Sequence, residues 1–120
     1  MLEKRAVPSC HVGVFEGQEG IYVAGGRGTS GSYLPSAEFY NPVLDIWQEI
    51  ASLTTGRGWS SMTKLGGDLI VSGGYDGQDY LSSVEMWNGS SWVELDDQRL
   101  EVRRADHAAV SIKAGVLSCV

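Results

Sequence analysis

The sequence predicts an all-β protein built from repeated units of four strands. Three observations carry that expectation. A strand-like apolar run ends in paired glycines at Gly20-Ile21-Tyr22-Val23-Ala24-Gly25-Gly26, and the pattern returns about 48 residues later as Gly67-Asp68-Leu69-Ile70-Val71-Ser72-Gly73-Gly74. Sixteen glycines against three prolines in 120 residues supply the frequent tight turns of such a chain. The first repeat, finally, shows apolar alternation or short apolar runs and no helical period.

Composition sets the bounds. At 42% hydrophobic and 20% charged, the chain is composed like a folded domain rather than a disordered one. Its net charge of −6 argues against a nucleic-acid partner. No apolar run approaches the roughly 20 residues that span a bilayer. The opening Met1-Leu2-Glu3-Lys4-Arg5 lacks the apolar centre of a secretory signal, so the expected compartment is cytoplasmic. Cys10 and Cys119 are then read as two buried or half-buried thiols in a reducing environment.

The elements follow in order. Residues 1–7 read as a short leader. Val12 and Val14 alternate with polar or small neighbours and predict a strand over 11–15, with a turn over 16–20. Residues 21–24 are nearly continuous in apolar character, the pattern of a strand buried on both faces. Gly25 and Gly26 let the backbone leave the sheet. After a loop to Pro35, strands are expected over 36–40 and 46–50, joined by the turn at Asn41-Pro42. The second unit repeats the series at 59–64, 69–72, 83–87 and 92–95, with Asn88-Gly89 as a hairpin turn. Glu38-Phe39-Tyr40-Asn41 returns as Glu85-Met86-Trp87-Asn88, and Trp47 as Trp92. A third unit begins with strands over 107–112 and 116–119.

The ordered set Gly25, Gly26, Glu38, Tyr40 and Trp47, then Arg57, Gly73, Gly74, Glu85 and Trp92, resembles the Kelch repeat. The resemblance covers residue 8 to the end. It implies a partial Kelch β-propeller of four-stranded antiparallel blades, divided as leader 1–7, first blade 8–55, second blade 56–99 and the start of a third at 100–120. A blade is too thin to bury its own faces and must stack on its neighbours. Tyr40, Trp47, Trp87 and Trp92 are large enough to fill the space between blades. Pro8 stands where the family usually has Arg, and Trp87 replaces the usual tyrosine. Two and a half blades do not close a ring. A piece of a longer protein, self-association into a ring and an unstable short form are the three expectations, the first favoured.

Function is expected on the loops between second and third strands and between blades, since these open on one end of a rigid scaffold. That end would carry Arg27, Tyr33, Arg57, Tyr75, Tyr80, Arg103 and Arg104, and Arg with Tyr is the composition of an interface centre. The resemblance implies a protein-interaction module: a propeller that holds a partner or substrate peptide, as BTB-Kelch adaptors of cullin-type ubiquitin ligases do, often through arginines at positions such as Arg27, Arg57 and Arg104. Any cullin contact would need sequence outside this chain. Actin-binding and cytoskeletal Kelch proteins are the alternative, and Arg57 and Arg104 are equally readable as ties between blades.

An enzyme is the different-class alternative. The copper enzyme galactose oxidase has Kelch-like blades, but its tyrosine and histidine ligand set is not assembled from this chain. Gly26-Arg27-Gly28-Thr29-Ser30-Gly31 matches a dinucleotide-binding glycine pattern, yet Ser32-Tyr33-Leu34-Pro35 follows where a helix should open. Asn88-Gly89-Ser90 reads as a turn rather than a glycosylation site, His11 and His107 as strand openings rather than metal ligands, and Asp76, Asp79, Asp96 and Asp97 as solvated turn residues. No cofactor, metal, nucleic-acid or membrane partner is expected.

Overall fold

The computed structural model describes residues 1–65, 67–95, 108–112 and 115–119. All the regular structure in them is strand. The first sheet is β1 (Ser9–Phe15), β2 (Gln18–Ala24), β3 (Ala37–Asn41) and β4 (Ile46–Ile50), in the order β1-β2-β3-β4. The second is β5 (Ser61–Leu65), β6 (Asp68–Ser72), β7 (Val84–Trp87) and β8 (Trp92–Glu94), again in chain order. A hairpin of β9 (Ala108–Ile112) and β10 (Gly115–Cys119) follows. Every pairing is antiparallel. The chain is thus two four-stranded antiparallel blades and a third hairpin, the architecture that the resemblance implies.

Register places the side chains. In blade 1 the row Val12, Ile21, Tyr40 and Trp47 crosses all four strands and so lies on one face. Tyr22, Ala24, Ala37, Phe39 and Ile50 lie on the other and are buried. In blade 2 the corresponding row, Lys64, Leu69, Trp87 and Trp92, shares its face with Met62 and Val71. The core joins these two faces: Trp87 lies 5.9 Å from Tyr22 and 6.2 Å from Phe15, ring to ring. Same-sense stacking therefore leaves the row Val12-Ile21-Tyr40-Trp47 uncovered among the described residues.

That geometry corrects several expectations. Ile21 is 39% exposed, so β2 is not buried on both faces. Trp87 and Trp92 fill the space between blades, whereas Tyr40 and Trp47 stack on each other at 4.9 Å on the open face and are half-buried. Cys10, expected to be at least half-buried, is exposed on the same face. The turn between β1 and β2 is only Glu16-Gly17, the glycine at φ +78°. β5 opens at Ser61 because Trp59 adopts φ +51°, outside strand geometry.

The first seven residues, expected as a leader, make contacts with blade 1 and the start of blade 2. Ala6 exchanges both backbone hydrogen bonds with Arg27, at 2.9 and 2.8 Å, as Gly58 does with Tyr75 at 3.0 and 2.9 Å. Val7 and Trp59 are matching positions, both at positive φ, and the Trp59 N–H donates to Val7 O at 3.1 Å. The glycine pair is explained by the same contacts. Gly26 sits at φ +102°, and a side chain there would stand 2.6 Å from Ala6 O. Gly74 repeats this at φ +101°, 2.5 Å from Gly58 O.

Candidate functional site

The loops β2–β3, β4–β5 and β6–β7 gather at one end of the two blades, and backbone hydrogen bonds lock them together. Gly26 N–H donates to Arg57 O at 2.7 Å, Leu53 N–H to Pro35 O at 2.7 Å, and Arg57 N–H to Leu34 O at 3.2 Å. The locking has a charged centre. Arg57 is wholly buried and donates from Nη1 to Gly73 O (2.9 Å) and Ser83 O (3.1 Å). Its Nη2 donates to Ser83 Oγ (2.9 Å) and Glu85 Oε2 (2.8 Å). Glu85, also wholly buried, accepts from the Thr54 N–H at 2.7 Å. Burial draws the Arg57 guanidinium below its ordinary pKa, and the Glu85 carboxylate opposes that shift.

Blade 1 carries the same clasp. Arg5 donates to Gly25 O and Ser36 O, both at 2.8 Å, to Ser36 Oγ at 3.2 Å and to Glu38 Oε2 at 2.8 Å. Glu38 accepts from the Leu2 N–H at 2.6 Å. Arg5, not Pro8, therefore fills the arginine position of the first unit. Glu38 and Glu85 were legible as a repeated glutamate; that each receives a buried arginine was not.

This removes Arg57 from the surface. Of its two expected roles, partner contact and tie between blades, the structure favours the second: its side chain has no exposure and its terminal nitrogens are committed. Arg103 and Arg104 lie outside the described residues.

The other expected residues do come together. Arg27 is exposed on the β2–β3 loop, Tyr33 and Tyr75 are half-buried, and Tyr80 is 58% exposed. Tyr75 meets Tyr33 edge-on at 5.4 Å and Tyr80 at 5.2 Å. Tyr33 reaches across to blade 2, 5.9 Å from Trp59. Gly58 makes room for it: a Cβ there would stand 2.9 Å from the Tyr33 ring. The two loops are copies, since Arg27 bridges to Tyr33 as Tyr75 bridges to Tyr80. Between them opens a groove of about 640 Å³ lined by Arg27, Gly31, Ser32, Tyr33, Tyr75, Asp76, Gly77 and Gln78. Asp76 is the lining residue that sequence reasoning passed over as a solvated turn. Its carboxylate caps that turn, accepting from Gln78 and Asp79 N–H groups at 2.8 Å each, and those bonds hold its pKa below the ordinary value.

The glycine pattern at 26–31 is an ordinary loop: Gly28 and Gly31 close a turn, and the chain runs on into β3. Among the described residues no three His, Cys, Asp or Glu side chains are grouped to hold a metal ion. No helix in them is long and apolar enough to cross a membrane.

The family model of the Kelch motif matches residues 8–54 and 60–97. The chain is 45% identical over 71 residues to Kelch-like protein 24 of Homo sapiens, a match covering 59% of this chain and 11% of that protein. It is 46% identical over 66 residues to Kelch-like protein 24a of Danio rerio, covering 55% of the chain and 10% of that protein. It is 29% identical over 109 residues to Spermatocyte protein spe-26 of Caenorhabditis elegans, covering 91% of the chain and 19% of that protein. The matched stretch is thus a small fraction of each relative's length.

Proposed function

This chain belongs to the Kelch-motif family, and we propose that it serves as a protein-interaction module whose loop face holds an extended segment of a partner protein. The observation that carries the reading is the convergence of Arg27, Tyr33 and Tyr75, from two blades, on one groove, with Tyr80 packed against Tyr75 beside it. Tyrosine offers large, rigid contact area at low entropic cost, and arginine offers a fork for carboxylate or carbonyl oxygens. The clasps beneath keep both loops in place without using groove residues.

The finer reading is that the bound protein is presented for ubiquitin transfer by a cullin complex. It draws on the resemblance to BTB-Kelch adaptors, with the cullin contact made by sequence outside these residues. The same stacking logic gives blade 1's open face a further blade, from the longer protein or from a second copy.

The test is capture of partners by the full-length protein with Tyr33→Ala and Tyr75→Ala, beside a thermal melt. Loss of capture with the melt kept supports the groove. Undiminished capture rejects it. Co-sedimentation with actin filaments that survives both substitutions would support the cytoskeletal alternative instead, and turnover of a small-molecule oxidase substrate with bound copper would overturn every binding reading.

A further inference from the structure

The groove is not the cationic surface that three arginines would make. With Arg57 sealed between the blades, its described walls carry one guanidinium and one carboxylate. Arg27 stands on the blade 1 wall. Its Nε donates to Gly31 O at 3.3 Å, its only side-chain hydrogen bond among the described residues, and the side chain is exposed on the groove lining. Asp76 stands on the blade 2 wall. Its Oδ1 is fixed by the N–H groups of Gln78 and Asp79, which orients the carboxylate without neutralising it. Arg27 and Asp76 do not pair with each other, nor with any other charge within 4.0 Å among the described residues. Between the walls lie the rings of Tyr33 and Tyr75.

Two opposite, oriented charges, neither in an ion pair among the described residues and Asp76 also within the field of the buried Arg57, line an aromatic floor and select for a ligand's charge pattern. A segment carrying only acidic residues gains at Arg27 and is repelled at Asp76 and its exposed neighbour Asp79. A wholly basic segment meets the reverse. We infer that the groove binds an extended peptide segment of mixed charge: an acidic side chain against Arg27 on blade 1, a lysine or arginine against Asp76 on blade 2, and an uncharged flat or apolar side chain between them on Tyr33 and Tyr75. The basic side chain also approaches the tyrosine faces, where a cation is attracted to the ring. This rests on the reading of the groove as the partner site and adds the chemistry of what it takes.

The experiment uses the full-length protein and short synthetic peptides of four kinds. In the first, one glutamate and one lysine are separated by a few residues including tyrosine or proline, in both orders. The others are glutamate-only, lysine-only and uncharged versions. Mixed-charge peptides of one order should bind tightest. Arg27→Gln and Asp76→Asn should each weaken them about five- to tenfold, the size of a partly desolvated charge contact, and weaken uncharged peptides clearly less. Asn at position 76 still accepts from both turn N–H groups, so it removes charge and keeps the turn. Replacing the peptide's lysine by methionine gives the same readout with the protein untouched. Glutamate-only peptides that bind as tightly as mixed ones, with Asp76→Asn neutral or strengthening, would overturn the inference. If Tyr33→Ala still abolished that binding, the groove itself would stand as the partner site. Binding by no peptide set overturns the inference too, and partner capture indifferent to Tyr33→Ala then rejects the groove reading with it.

Discussion

The two blades carry the same row of large apolar residues on the same face, and the row has opposite fates. In blade 2, Leu69, Trp87 and Trp92 are 4%, 7% and 4% exposed. In blade 1, Ile21 is 39% exposed, and Tyr40 and Trp47 are half-buried. Strand pattern and register are alike, so neither explains the difference. Blade 2 rests on the Tyr22–Phe39 face of blade 1, while on the opposite face the N-terminal residues cover only the Glu38 end and no described blade rests on Ile21, Tyr40 and Trp47. The lesson is that a repeat's signature specifies which side chains a blade offers, and the neighbour decides whether they become core.

The clasps hold the larger energies. Arg57→Ala leaves the wholly buried Glu85 without its cation and should cost about 3–5 kcal/mol, read by chemical denaturation. The double change Arg57→Met with Glu85→Leu should cost clearly less than the two single changes summed, because no buried charge is left alone. A single-variant cost near zero would mean that Arg57 is solvated after all and that the blades are held by packing alone.

The tryptophans test the comparison directly. Trp92→Ala should cost about 3–5 kcal/mol, as deletion of a buried aromatic does. Trp47→Ala, at the matching position, should cost about 1 kcal/mol or less in this 120-residue chain. Equal costs would show that the Tyr40–Trp47 face is covered in solution.

A smaller effect is expected at the seam between blades. Gly58→Ala places a methyl 2.9 Å from the Tyr33 ring and should cost about 1–3 kcal/mol while displacing that ring from the groove. Partner capture should fall with it. Unchanged capture and stability would mean that Tyr33 is free to leave blade 2.

The smallest effect separates Tyr40 from its counterpart Trp87. The Tyr40 hydroxyl donates to Asp45 Oδ1 at 2.5 Å, and that bond raises the phenol's pKa above its ordinary value. The folded state therefore favours the protonated phenol. Its contribution is present below the unfolded pKa and is lost as pH rises through the higher folded value. In an alkaline absorbance titration, Asp45→Asn should bring Tyr40 down toward the ordinary phenol value. No change on substitution would sink the Asp45 assignment.

Much of this was legible in the residues. Gly-Gly pairs, alternating strands and Asn-Gly turns are local features, set by allowed dihedrals and side-chain period, and all four strands of each complete blade were found from them. The meeting of Arg27, Tyr33, Tyr75 and Tyr80 was legible too, because equivalent loops of a repeat open on one end. What the residues could not say is which of several similar arginines is spent inside. Arg5 looked like part of a leader and Arg57 equally like a surface cation or a tie between blades, yet each is drawn to a glutamate in the following sheet, about 30 residues on. Asp76 looked like any turn aspartate until the neighbouring blade put Arg27 across from it. Local chemistry acts along the chain, so the sequence alone determined strands, turns and repeat. Burial, ion pairing and the charge pattern of the groove depend on surfaces brought together from distant residues, and only the tertiary structure decided those.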